Sequence, residues 1–260
     1  MTTDKIGRII WHDLFTKDLK RSMDFYGHVA GWTYVTEHAT DFAWGGGEKD
    51  FVLALRDNEA GAGITDTPPN LLDGWIAYIE VPDVDATTIL AEKLGGRIVR
   101  KPFEVPGVGR NALLNDPNGA LFGLALSRHS FPAPTSQFDA EIYSSGTEDF
   151  PSAFYEKLFD WQTRSIPSET LEVAITGPRG IRIANSVAEA SSLGSHSRWI
   201  PSLKTAHFDT ALKRSQYLGA DLLFTHLDPR GQLIGSVLQD TCNAVFYLQL
   251  SPRTLFLSSF

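Results

Sequence analysis

The chain has 260 residues, a formal net charge of -8 and a sequence pI of about 5.3, so it lacks the basic footprint that nucleic acid or an anionic membrane surface requires, and neither is expected as a partner. Hydrophobic residues at 42% and charged residues at 21% predict a packed core, with no apolar run long enough to span a membrane. The lone Cys242 excludes an intramolecular disulfide and a thiolate-cluster metal site, and MTTDKIGRII lacks the marks of a signal peptide, so a cytoplasmic protein is expected.

The first stretch with clear structure is Trp11 to Trp32, WHDLFTKDLKRSMDFYGHVAGW. Trp11 to Phe15 alternates as a half-buried strand does. Asp18 is placed to cap a helix, on which Leu19, Met23, Tyr26 and Ala30 share a face, and Gly31 supplies its stop. Strands are predicted at Thr33 to Thr36, Phe42 to Trp44 and Phe51 to Leu55. Asp57 to Asp73, with Gly61, Gly63, Pro68 and Pro69, reads as a connection. A second unit begins at Trp75: a strand, a helix capped by Asp83, then strands at Arg97 to Val99, Arg110 to Leu114 and Ala120 to Leu126. Pro106-Gly107 and Asp116-Pro117-Asn118-Gly119 mark the turns between the last of these. Arg128 to Ser136, RHSFPAPTS, has the composition of a linker, so two domains are expected, 1–130 and 131–260. The first is expected to fold alone. Val187 to Ser197 reads as the connection between units of the second domain.

The same units recur. Phe25-Tyr26 and Trp32 return as Phe154-Tyr155 and Trp161, an offset of 129 (154 − 25). Trp75, Asp85 and Leu94-Gly95 return as Trp199, Asp209 and Leu218-Gly219, an offset of 124 (199 − 75). Asp116, Phe122 and Leu124 match Asp240, Phe246 and Leu248 at that second offset. Four βαβββ units in an α+β fold, with helices on one face of curved mixed sheets, follow from this order.

The segments Phe25-Tyr26…Gly31-Trp32, Val81 to Gly96 and Pro106 to Leu124 resemble those of the vicinal oxygen chelate superfamily, which includes glyoxalase I, bleomycin-resistance proteins and extradiol dioxygenases. The resemblance is strong in the first half and weak in the second. It implies that paired modules curl into a cup in each half, giving two glyoxalase-like domains. It also implies a divalent metal held by His, Gln or Glu from the first strand of each module and from the last strand. Carried onto this chain, those positions hold Trp11, Ile76 and Gly123, and in the second half Ala140, Ile200 and Tyr247. Such a set does not ligate a divalent ion, and no cofactor is expected. The alternative is a one-residue bulge that turns His12 inward as a metal ligand, with Asp13 or Glu80 supplying oxygen; otherwise His12 faces the helix layer or solvent.

If Trp11 faces the cup, so do Asp13 and Phe15, and likewise Ile76, Tyr78 and Glu80 from the next first strand. Leu121, Gly123 and Ala125 would line the last strand, with Gly123 leaving room for a ligand, and Arg110, Ala112 and Leu114 the strand before it. An apolar, aromatic pocket with a few polar groups suits a small aromatic or carboxylate-bearing molecule, with Trp11, Phe15, Ile76, Tyr78, Arg110 and Gly123 as its binding residues. Asp13 and Glu80 are the candidate general bases if the chain is an enzyme, a lyase or dioxygenase-type relative with a shifted metal or carboxylate site. The first expectation is binding without a metal, by a monomer or a homodimer. An interaction protein with filled cups is the third reading.

Overall fold

The computed structural model describes residues 4–39, 47–146, 148–165, 171–187, 196–205, 207–227 and 230–249. In the first half the order is β1 (Ile9–Thr16), α1 (Leu19–Ala30), β2 (Thr33–Ala39), β3 (Lys49–Arg56), β4 (Glu59–Asp66), β5 (Gly74–Glu80), α2 (Val84–Lys93), β6 (Arg97–Val105), β7 (Gly109–Asn115) and β8 (Leu121–Ser127). The second half repeats it: β9 (Phe138–Ser144), α3 (Ser152–Phe159), β10 (Gln162–Ser165), β11 (Leu171–Thr176), β12 (Arg182–Val187), β13 (Arg198–Leu203), α4 (Phe208–Tyr217), β14 (Asp221–Leu227), β15 (Leu233–Gln239) and β16 (Val245–Gln249). Each half forms one eight-stranded mixed sheet, in the orders β2-β3-β4-β1-β5-β8-β7-β6 and β10-β11-β12-β9-β13-β16-β15-β14. The first strands of the two modules, β1 and β5, lie antiparallel at the centre of the first sheet, as β9 and β13 do in the second.

Local chemistry sets these elements. The Asp18 side chain caps α1 by accepting from the Arg21 N–H at 3.0 Å, and Gly31 ends the helix at φ 71°. The expected connection at Asp57–Asp73 is instead largely strand β4. Asp57 and Asn58 both adopt positive φ, 52° and 63°, which is the tight hairpin turn that returns β3 onto it. Its glycines are there for space: a Cβ on Gly63 would lie 2.1 Å from the Phe51 ring and one on Gly61 2.2 Å from Gln137 Oε1. The predicted strand at Phe42 to Trp44, and most of Val187 to Ser197, lie outside the described residues.

The sheets close within each half, but the cores do not. One core joins Leu14, Phe25, Tyr26, Trp32 and Trp75 to Leu203, Phe208, Leu238 and Phe246. The other joins Ile79, Val84, Leu114 and Phe122 to Tyr143, Phe154, Tyr155, Trp161 and Trp199. Both lie on the helix side of the sheets, where α1 meets α4 and α2 meets α3. The repeated residues hold this joint. Tyr26 donates to Asp240 at 2.8 Å while Trp75 donates to the Tyr26 hydroxyl at 3.0 Å. In the other direction Tyr155 donates to Asp116 at 3.0 Å, and Trp199 donates to Tyr155 at 2.8 Å. Asp116 accepts a further bond from Tyr143 at 2.7 Å and two from the backbone N–H groups of Asn118 and Ala120.

Asp116 is thus a buried acceptor for four donors, and burial raises its pKa despite those bonds. Replacing it with alanine leaves two tyrosine hydroxyls and two turn amides unpaired, at a cost of about 3–4 kcal/mol. Asp240→Ala, with one tyrosine partner, is expected to cost less. Urea unfolding of both variants checks this, and a loss under about 1 kcal/mol for Asp116→Ala would contradict it.

Candidate functional site

The concave side of the first sheet collects Trp11, Asp13 and Phe15 from β1 and Ile76 and Tyr78 from β5. Trp11 pairs with Tyr78 and Asp13 with Ile76 across the two strands. Phe15, Ile76, Tyr78, Leu113 and Ala125 form a buried cluster, against which Trp11, Phe51, Val99, Phe103 and Leu121 pack. Alternation on a half-buried strand explains why these side chains share a face while Leu14 turns to the helix side.

Asp13 is the polar centre of this cup. It is 4% exposed and accepts from the Trp11 indole N–H at 2.9 Å. The Tyr78 hydroxyl lies beside the same carboxylate. Burial raises the Asp13 pKa to about 6, with the Trp11 and Tyr78 bonds opposing the rise. The Thr65 hydroxyl, on β4 opposite Phe15, is buried with no partner among the described residues.

Three sequence expectations change here, those for Arg110, Gly123 and Glu80, while His12 keeps to the helix side. Arg110 does not line the cup: β7 is phased the other way, so Leu113 faces the cup while Ala112 and Leu114 join the helix-side core. The Arg110 guanidinium instead donates to Asp85 on α2, at 2.7 Å through Nη2, and to Glu104 at 3.1 Å. That partnership raises its pKa and lowers that of Asp85. Gly123 does not open space for a ligand, because a Cβ there would lie 2.2 Å from the Tyr78 ring, which fills the gap. Glu80 is on the cup side but its carboxylate accepts from the Ser127 N–H at 3.0 Å and hydroxyl at 2.8 Å, so it braces the end of β8. His12 points away from the cup. Its Nε2 sits 2.9 Å from Glu141 Oε1 and its ring stacks on Phe138 at 3.8 Å between the halves. Glu141 is the same repeat position 129 residues on (141 − 12), and burial raises its pKa.

One cation that reaches the cup went unread in the sequence. Arg100 lies over the Phe103 ring at 3.5 Å and acts electrostatically on Tyr78. It sits in β6, which runs to Val105 rather than stopping at Val99. Register shifts on either side of Arg100 break the alternation there. Pro102 within the run was the signal for such an irregular edge strand.

The donor set on this face is the Asp13 carboxylate with an indole, a phenol and a hydroxyl, the Glu80 carboxylate being held by Ser127. The positions that the family resemblance assigns to metal ligands carry Trp11, Ile76 and Gly123, none of whose side chains ligates a divalent ion. Among the described residues no group of three or more His, Cys, Asp or Glu is placed to hold one. No helix among them is long and apolar enough to cross a membrane.

Residues 5–124 match the model of the Glyoxalase/Bleomycin resistance protein/Dioxygenase superfamily. Mycobacterium tuberculosis protein CFP32 is 33% identical over 121 residues, 46% of this chain and 44% of that one. Anthracycline biosynthesis protein DnrV of Streptomyces peucetius is 31% identical over 139 residues, 48% of each chain. The match thus spans about half the length of these curated relatives. Among solved structures, the Mn(II)-bound glyoxalase from Novosphingobium aromaticivorans aligns with a TM-score of 0.61 at 12% identity, over 94% of this chain and 82% of that one. An extradiol ring-cleaving dioxygenase from B. fuscum aligns at 0.63 and 14% identity, over 95% and 72%. At such identities the likeness is one of fold, and it extends over both halves.

Proposed function

We propose, for a chain whose residues 5–124 match the model of the Glyoxalase/Bleomycin resistance protein/Dioxygenase superfamily, that the N-terminal cup binds a small aromatic molecule without a divalent metal. The boundary near residue 130 and the pairing of modules into two glyoxalase-like domains belong to the same proposal. The observation that carries it is the buried Asp13 carboxyl on the cup face, set between the Trp11 indole and Tyr78. Trp11, Phe15 and Tyr78 supply aromatic walls, and Asp13 is the acceptor for a ligand hydroxyl or amide. Arg100, stacked on Phe103, takes the place that Arg110 was expected to fill. The residues at the cup do not suit a resident divalent cation, and binding rests on Asp13 and the aromatic walls. The naming of one relative for anthracycline biosynthesis is in keeping with an aromatic ligand.

A second reading, an enzyme in which Asp13 removes a proton from the bound molecule, is favoured by its pKa of about 6. A base at that value is ionised at neutral pH and still protonatable. Both readings share one cup and one carboxylate, and turnover of a bound compound separates them.

A thermal-shift screen of phenols and aromatic acids, followed by calorimetric titration of the best binder, tests the site. Trp11→Leu and Arg100→Met are expected to weaken binding about tenfold, equivalent to 1.4 kcal/mol, while Arg110→Ala leaves it unchanged. Equal losses for Arg100→Met and Arg110→Ala, or no stabilising compound in the screen, would remove the basis for the proposal.

A further inference from the structure

The cup of the second half carries polar groups that the proposal above leaves unused. Its concave face is built from Ile142, Val187, Ile200, Val237 and Tyr247. Ser144 lies two residues on from Ile142, Ser202 pairs with Tyr247, and His226 and Gln249 flank Gly235 from either side. By strand alternation all four share this face. Ser144 and Ser202 are 0% exposed and His226 is 2% exposed. Ser144 Oγ, Ser202 Oγ, His226 Nε2 and Gln249 Oε1 have no hydrogen-bond partner among the described residues. Buried polar atoms are normally paired, so the three unpaired groups that can donate, Ser144 Oγ, Ser202 Oγ and His226 Nε2, point to a guest that accepts from them.

The chemistry of that guest follows from the donors. Burial lowers the His226 pKa to about 4 and raises that of Tyr247, so both are neutral at pH 7. The phenol lies 3.2 Å from His226 Nδ1, and we assign it as the donor of that pair, the tautomer in which Nε2 carries the ring proton. Gly235 makes this arrangement possible, since a Cβ there would lie 2.0 Å from the Tyr247 oxygen. The charge acting on both His226 and Tyr247 is the Arg182 guanidinium. At the repeat positions of Ser144, Ser202 and Gln249 the first half has Phe15, Tyr78 and Ala125, so the two cups are not interchangeable.

We infer that the C-terminal cup is a second ligand site, selective for a small monocarboxylate with an apolar body. The carboxylate accepts from His226 Nε2 and the serine hydroxyls, and Ile142, Val187, Ile200 and Val237 hold the body. Neutral donors in the field of one guanidinium match a single negative charge better than a phosphate dianion.

Calorimetric titration of the full chain at pH 7 with benzoate, butanoate and the uncharged benzyl alcohol tests this. For butanoate one saturable site is expected, weakened tenfold or more by His226→Phe and at least threefold by Ser202→Ala, with Asp13→Asn leaving it unchanged. Benzyl alcohol should respond little to either C-terminal substitution. Ser202→Ala removes a hydroxyl with no partner among the described residues, so that variant keeps the test decisive if His226→Phe does not fold. No saturable carboxylate binding up to roughly 10 mM, or equal losses for benzyl alcohol, would overturn the inference. Loss on Asp13→Asn with none on His226→Phe would also overturn it, placing the anion in the N-terminal cup. Because the N-terminal proposal is read through Trp11→Leu and Arg100→Met, the two can fail separately.

Discussion

Residues 1–130 expressed alone are expected to give no cooperative melt as a monomer. The linker composition suggests a clean cut, and each sheet does close within its own half. The helix-side surface is what such a fragment would leave bare. Phe25, Tyr26, Trp32, Trp75 and Phe122 are each 8% exposed or less, and they are packed in cores completed by the second half. Large side chains of this kind contribute about 1.5–3 kcal/mol each when buried, and five of them match the whole stability of a domain. Tyr26 and Asp116 would also lose their buried partners Asp240, Tyr143 and Tyr155. Circular dichroism with analytical ultracentrifugation on the fragment checks this. A monodisperse monomer with a sharp thermal transition would show that the first half carries its own core.

Asp13→Asn is expected to stabilise the protein at neutral pH by about 1–3 kcal/mol. The folded-state pKa is about 6 against a reference of 3.8, so between those values the folded chain holds a proton that the unfolded chain releases. Stability from this group is therefore complete below about pH 4 and is lost as pH rises through about 6. The full difference corresponds to roughly 3 kcal/mol at pH 7, an upper figure because asparagine also changes the bond to Trp11. Other raised carboxyls, Glu141 and Asp116 among them, titrate in both proteins and cancel in the comparison. Urea unfolding of the wild type and the variant from pH 4 to pH 8 should show a gap that opens with pH. A gap that is constant or reversed would mean that Asp13 is ionised at little cost, as in a solvated site.

The residues most legible in the sequence turn out to hold the halves together. Tyr26, Trp75 and Asp240, with Tyr155, Trp199 and Asp116, stand out because they repeat at fixed offsets, and they repeat because the same joint is made twice in opposite directions. That pattern was enough for the βαβββ order and the two sheets. It was not enough for the cup, whose two halves differ at almost every position. Alternation placed Trp11, Asp13, Phe15, Ile76 and Tyr78 on one face because β1 and β5 are regular over that stretch. It failed for Arg110, where NALLN is apolar on both faces and nothing in the run fixes its phase. It failed for Arg100 because bulges in an edge strand break the period of two. β4 was missed because its glycines and alanines yield to Phe51 and Gln137, which lie elsewhere in the chain. The C-terminal polar cluster had no sequence signal beyond a scatter of serines, since its meaning lies in which hydroxyls lack partners.

The N-terminal cup carries Trp11, Ile76 and Gly123 at the positions that the family resemblance assigns to metal ligands, with Asp13 as its buried carboxyl. Elemental analysis by mass spectrometry tests the metal-free reading most directly, on full-length protein grown with Mn, Fe, Ni and Zn supplements and purified without chelator or affinity tag. Metal far below one ion per chain is expected in both the wild type and Asp13→Asn. A stoichiometric divalent ion in the wild type that disappears in Asp13→Asn would contradict it.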